Sequence, residues 1–165
     1  MPIMQEFPSR RKAAWCARIL VVDDEPRLAS GLQRALTLAG HEADTAGYGR
    51  RALEALQTRV YDLMILDLAL PDMSGIQVME RALQLQPDLL VIVLTGRSNL
   101  ESVIAAVKLH AADYLLKPSG LAEIIEAVVA ALQRRAAQVR ERVALRTVSQ
   151  ALEILQQSDA GDAAE

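Results

Sequence analysis

Short apolar runs punctuate the chain at 19–22 (ILVV), 63–66 (LMIL) and 90–94 (LVIVL), each too short for a helix and each followed by a turn or a polar residue. Unbroken runs of this length mark strands buried on both faces, as in parallel sheets. Two weaker strands are predicted at 42–46, after a helix stop at Gly40, and at 113–116, before Pro118. Between the strands, apolar residues recur at helical spacing over 27–39, 50–59, 76–85 and 100–109, with Pro26 suited to a first helical position. A last helix opens near Leu121. Strand and helix thus alternate five times, which predicts an α/β fold with a doubly wound, five-stranded parallel sheet.

The pattern changes character near the C-terminus. From Leu121 to Ser158 there is neither Gly nor Pro, so the last helix is expected to continue past the domain, for about 57 Å if unbroken. Leu132, Ala136, Val139 and Val143 follow one apolar phase, and Leu145, Val148, Leu152 and Leu155 follow another. The phase break reads either as a stutter in a coiled coil or as two helices. Either way an apolar stripe seeks a partner, and homodimerisation through this extension is expected. The resulting layout is a poorly ordered N-terminal arm at 1–17, a globular domain at 18–134, and a helical extension with a polar tail at 135–165.

Charge and composition narrow the function classes. The net charge is -3, but residues 19–132 hold nine basic against fifteen acidic side chains, whereas 133–146 hold five Arg against one Glu. Nothing here predicts general attraction to nucleic acid or to an anionic membrane, and the Arg134, Arg135, Arg140, Arg142 and Arg146 cluster reads as a solvated helix face. A lone cysteine, Cys16, permits no internal disulfide and suits a reducing cytosol. Arg10, Arg11 and Lys12 precede no apolar signal region, and no stretch reaches transmembrane length. A cytoplasmic protein without a membrane partner is expected.

In a doubly wound sheet, ligands bind at the carboxyl ends of the strands, near the point where strand order reverses. The first strand delivers Asp23, Asp24 and Glu25 to that edge, the third Asp67, the fourth Thr95 and Gly96, and the fifth Lys117 with Pro118. Singly, each has a plain structural reading. An acid before Pro26 can cap a helix, Asp67 can serve the turn before Pro71, Thr95 can end a β-branched strand, and Lys117 can be a solvated charge. Together they place acids, a hydroxyl and an ammonium on one edge.

Four segments carry a family resemblance: VVDDEP at 21–26, ILDLALPDMSG at 65–75, VLTG at 93–96 and DYLLKP at 113–118. The chain resembles the receiver domain of two-component response regulators over about 18–134, and the resemblance implies a flavodoxin-like strand order 2-1-3-4-5. It further implies that Asp67 accepts a phosphoryl group from a sensor histidine kinase or phosphotransfer protein, with the domain catalysing only its own phosphorylation and slow dephosphorylation. Three carboxylates would repel that group without a cation, and Mg²⁺ suits a few carboxylates plus phosphate oxygens. By the resemblance, Asp23, Asp24, Asp67 and the backbone carbonyl of Ala69 would hold Mg²⁺, with Asp23 acting through water. Lys117, Thr95, Leu68 and Gly96 would contact the phosphoryl group, the Lys117–Pro118 bond would be cis, and Thr95 with Tyr114 would form the switch. Signalling would then pass through a changed protein–protein interface to a downstream target.

The resemblance has departures. His110 stands where the family generally has Gly, just past the fourth helix, where a left-handed backbone is favoured. It reads as local strain, since His41 and His110 lack any metal-ligand spacing. Ala69 and Arg97 occupy positions that tune acyl-phosphate lifetime. An alternative reading makes the chain the amino-terminal regulatory part of a DNA-binding transcriptional regulator, although residues after Arg134 show no helix-turn-helix pattern. A hydrolase of related topology finds no second acid–base group placed near Asp67.

Overall fold

The computed structural model describes residues 16–162, without the side chains of 155 and 157–162. Residues 1–15 of the expected arm and the end of the polar tail lie outside the described residues. Ala17, by contrast, is buried, and its amide donates to His41 Nδ1 at 3.3 Å. The chain divides into two compact units after Val128.

In the first unit the elements run β1 (Arg18–Val22), α1 (Pro26–Leu38), β2 (Glu42–Ala46), α2 (Gly49–Thr58), β3 (Leu63–Leu66), α3 (Gly75–Leu85), β4 (Leu90–Thr95), α4 (Leu100–Lys108) and β5 (Asp113–Leu116), followed by the start of α5 (Leu121–Asp162). The five strands form one sheet in the order β2-β1-β3-β4-β5, and every neighbouring pair is parallel. The expected topology is therefore present, and it reverses at β1, between β2 and β3. The apolar runs fill β1, β3 and β4, the three interior strands, where neither face meets water. β2 is an edge strand, and its Glu42 is exposed.

Side-chain alternation divides the core into two layers. Leu20, Val22, Met64, Leu66, Val91 and Val93 pack with Ala52, Leu56, Val78, Met79, Ala82 and Ala106 from α2, α3 and α4. The alternate residues Ile19, Val21, Leu63, Ile65, Ile92 and Leu94 are buried on the other face, as are Leu32 and Leu36 of α1 and Ile124 and Val128 of α5.

Two helices end in the same backbone motif with different residues. After α1, Gly40 (φ +94°) donates to Thr37 O and His41 donates to Leu36 O. After α4, His110 (φ +58°) donates to Val107 O and Ala111 donates to Ala106 O. This paired closure needs a left-handed residue, which Gly adopts freely and His adopts with strain. The departure at His110 is thus a strained helix end.

In the second unit, α5 runs unbroken to Asp162. Of the two readings of the phase break, the two-helix one is not what forms. A two-residue offset at about 100° per residue turns the second stripe roughly 200° from the first, so Val139 and Val143 lie nearly opposite Leu145, Val148 and Leu152. All five side chains are more than half exposed.

Candidate functional site

The carboxyl edge of the sheet gathers the expected residues because each stands at the end of a strand or just after it. Asp23 directly follows β1, Asp67 directly follows β3 and Lys117 directly follows β5, while Thr95 is the last residue of β4. Hydrogen bonds tie the strand ends together: Asp23 N donates to Ala46 O, Asp67 N to Val22 O, and Lys117 N to Thr95 O. The edge is held by backbone, so side-chain positions follow from register.

Lys117 Nζ lies 2.7 Å from Asp23 Oδ2 and 2.9 Å from Asp67 Oδ2, and both carboxylates are almost fully buried. Burial pushes the Asp23 carboxyl above its ordinary pKa, against the opposing pull of the Lys117 ammonium and the Glu25 amide. For Lys117, burial pulls the ammonium down, but the contacts with Asp23 and Asp67 outweigh it and leave its pKa raised. Asp23 Oδ1 accepts from Glu25 N at 2.8 Å, and Asp67 Oδ1 accepts from Ala69 N at 3.0 Å. Asp23 Oδ2 accepts no well-directed hydrogen bond, so its approach to Lys117 is ionic and buried lone-pair capacity is left over.

That spare capacity is the test of whether a metal fits. Asp23, Asp24 and Asp67 each offer a carboxylate oxygen, all within 4.8 Å of one another, with Asp24 exposed and the other two buried. Three carboxylates against one ammonium leave two negative charges, which a divalent cation would neutralise. All the side-chain donors are hard oxygens, the chemistry that Mg²⁺ and Ca²⁺ select. The residues fit a divalent ion.

The loop after Asp67 folds back on itself. Ala69 and Ser74 form an isolated antiparallel bridge, and Gly75 N donates to Leu68 O at 3.0 Å. A Cβ at Gly75 would stand 2.6 Å from Asp67 O, so only glycine allows the backbone of α3 to approach the acidic strand end. Thr95 is fully buried, and its hydroxyl is engaged both ways with Arg97, donating to the carbonyl and accepting from the amide at 3.2 Å each. Gly96 sits beside the Lys117 stem, 3.7 Å from its Cβ when a methyl is built on the glycine. The Lys117–Pro118 peptide is cis. Tyr114 is half-buried, with its hydroxyl 3.3 Å from Ser102 Oγ, and the same serine shares a reciprocal capping box with Asn99 at the start of α4.

Sequence reasoning brought Asp23, Asp24, Asp67 and Lys117 to one place correctly, but two links escaped it. The Tyr114–Ser102 contact was one, although the Asn99–Ser102 spacing is a legible cap signal. The other is Asp72, whose two carboxylate oxygens accept from Gly49 N at 2.8 Å and Arg50 N at 2.9 Å at the start of α2. No local pattern announces a cap supplied from 22 residues away.

Comparison with known proteins agrees with this geometry. The response regulator receiver domain family matches residues 19–129. Transcriptional regulatory protein TcrA of Mycobacterium tuberculosis is 42% identical over 118 residues, covering 72% of this chain and 46% of that protein. The chain spans about half the length of the curated relatives it matches. Among solved structures, a CheY-like receiver domain protein from Methanospirillum hungatei superimposes with a TM-score of 0.73 at 27% identity, covering 75% of this chain and 99% of that one. A Burkholderia pseudomallei response regulator, solved with a phosphorylated aspartic acid, calcium ion and citrate, gives a TM-score of 0.64 at 30% identity over 76% of this chain and 74% of its own. The family model spans residues 19–129, well over half of the sequence, and this chain belongs to the receiver domains of two-component response regulators.

Proposed function

We propose that Asp67 is the phosphoacceptor of a two-component pathway. Its carboxylate oxygen attacks the phosphorus of a phosphohistidine on a sensor kinase or phosphotransfer protein; the P–N bond breaks, the imidazole keeps the electron pair and takes up a proton, and Asp67 becomes an acyl phosphate. The carrying observation is the convergence of Lys117 on Asp67 and Asp23, which sets a cation against the nucleophile's own oxygen. Asp23, Asp24, Asp67 and the Ala69 carbonyl would hold Mg²⁺, which when bound supplies the positive charge that lets an anionic group approach three carboxylates. Lys117 then transfers its contact from the Asp67 carboxylate to the phosphoryl oxygens, and the Leu68 and Gly96 amides donate to them. The chain is a phosphoacceptor signalling domain acting in the cytoplasm, with its receiver over 18–134 and the helical extension beyond.

The hydroxyl contacts of Thr95 and Tyr114 support a switch. Thr95 exchanges its Arg97 backbone partners for the phosphoryl group, and Tyr114 leaves Ser102 and turns inward behind it, altering the start of α4 and the surface a downstream protein reads. Acetyl phosphate with Mg²⁺ tests the assignment: wild type gains the mass of one phosphoryl group and Asp67→Asn does not. Equal modification of both proteins would overturn it.

A second reading is supported by relative length. The curated relatives named transcriptional regulatory proteins are about twice as long as the match, so this receiver acts either as a partner switch or as the regulatory half of a DNA-binding regulator. In either setting the exposed apolar residues of α5 are the proposed homodimer surface, because valines and leucines left more than half exposed gain most from a partner. Size-exclusion chromatography with and without acetyl phosphate tests it, and a monomer in both conditions at micromolar concentration would reject it.

A further inference from the structure

The loop between β3 and α3 carries the Ala69 carbonyl, and its outer end is anchored by contact with another element. Asp72 supplies that anchor from the far side of the loop. Its Oδ1 accepts from Gly49 N and its Oδ2 from Arg50 N, so a single carboxylate takes the first two amides of α2. Helix α2 makes no such bond of its own, because its N-cap residue, Tyr48, has no side-chain acceptor in place. The carboxylate is drawn below its ordinary pKa by the Arg50 and Gly49 amides, as expected for an anion at a helix start.

Packing reinforces the tie. A Cβ on Gly49 would come within 2.7 Å of Val78 Cγ2 and 2.9 Å of Met73 Sδ, so the start of α2 is packed closely against the Met73 side chain of the loop and Val78 of α3. At its inner end the loop is tied by Asp67 Oδ1 to Ala69 N and by Ala69 pairing with Ser74. The next segment back, β2, ends at Ala46, whose carbonyl accepts from Asp23 N. Hydrogen bonds and the backbone between them therefore link Asp23, through the β2–α2 connection, to Asp72 and so to the loop that bears Ala69.

We infer that Asp72 is a positioning residue of the divalent-cation site: by clamping the β3–α3 loop to the first turn of α2, it holds the Ala69 carbonyl where the cation takes it as a donor. This rests on the reading that Asp23, Asp24, Asp67 and the Ala69 carbonyl bind a divalent ion. Outer partners that orient metal donors commonly change affinity by about tenfold or more when removed.

The alternative is that Asp72 merely caps α2, and a compensating variant separates the two. Asp72→Ala removes both the cap and the tether, whereas Tyr48→Ser in the same chain gives α2 a local cap without restoring the tether. Mg²⁺ affinity is measured by calorimetry on the full chain without phosphodonor, alongside thermal stability and amide exchange at Ala69. The expected result is that Asp72→Ala binds Mg²⁺ about tenfold more weakly and exchanges the Ala69 amide faster, and that adding Tyr48→Ser recovers melting temperature but neither of the other two. Recovery of Mg²⁺ affinity to within about twofold of wild type in the double variant would overturn the inference and leave a helix cap. Should Asp72→Ala fail to fold, Asp72→Asn, which keeps one acceptor, must still weaken Mg²⁺ binding, and wild-type affinity there would equally overturn it. Failure of the phosphoacceptor assignment reads out separately, as unaltered mass of the wild-type protein with acetyl phosphate.

Discussion

Replacing Lys117 with methionine removes one charge and keeps the stem, so its effect isolates the ammonium. Asp23 and Asp67 then face each other buried, without the cation that stands 2.7 and 2.9 Å from them. Stripping one partner from a buried ion pair destabilises by about 3–5 kcal/mol when the remaining charge has no escape. Here the escape is protonation of one carboxyl. An unfolded aspartate titrates near pH ~3.9, so keeping one protonated at pH 7 costs about 1.36 kcal/mol for each of roughly three units, or about 4 kcal/mol. At pH 5 the same route costs only about 1.5 kcal/mol. The sign follows from linkage: in the variant the folded carboxyl pKa is raised above its unfolded value, so stability is retained below pH ~4 and lost as pH climbs through the folded value. Urea unfolding of wild type and Lys117→Met is therefore expected to show a gap of about 3–4 kcal/mol near pH 7 that shrinks below about 1.5 near pH 5. By the proposed assignment, millimolar Mg²⁺ is expected to narrow the gap at pH 7, because it would neutralise the same carboxylates. A gap that is absent at pH 7, or equal at the two pH values, would refute the electrostatic account of this site.

Three further outcomes are expected. His110→Gly relieves the left-handed strain after α4 but loosens the unfolded chain, for a net gain of about 0.5–1 kcal/mol in urea unfolding; a loss would show that the His110 side chain does more than tolerate its φ of +58°. Tyr61, almost fully buried and donating to Asp44 Oδ2 at 2.8 Å, has its pKa pushed up to about 12, chiefly by burial and then by that carboxylate. Its contribution is intact below pH ~10 and declines as pH rises toward 12, so the advantage of wild type over Tyr61→Phe is expected to fall across that window by at most about 2.7 kcal/mol; a constant difference would contradict it. Thr95→Ala is expected to accept phosphate at Asp67 by mass yet lose the phosphorylation-dependent change in the environment of Tyr114 seen by NMR, and retention of that change would rule out the proposed coupling.

Much of the architecture could be read from local pattern because parallel strands buried on both faces carry little but apolar residues. The runs at β1, β3 and β4 stood out for that reason, and the helix boundaries agreed to within a residue at α1, α2 and α3. The one-residue differences have causes. Gly49 and Gly75 open helices despite poor propensity, because each is pressed against another segment that leaves no space for a Cβ. The acids and Lys117 were locatable for the same reason as the strands: each stands immediately after one, and strand order carries it to the shared edge.

The chain's own pattern thus determined the alternation of elements, the identity of the buried strands and the set of charges delivered to one rim, since all three depend on near neighbours in sequence. Tertiary structure alone decided that Lys117 would straddle Asp23 and Asp67, that Asp72 would cap a helix preceding it by more than twenty residues, and that the last helix would run straight through a break in its apolar phase. Those outcomes depend on which backbone groups and charges meet across the fold. No local spacing encodes them, because partners far apart in sequence come within bonding distance only once the sheet is assembled.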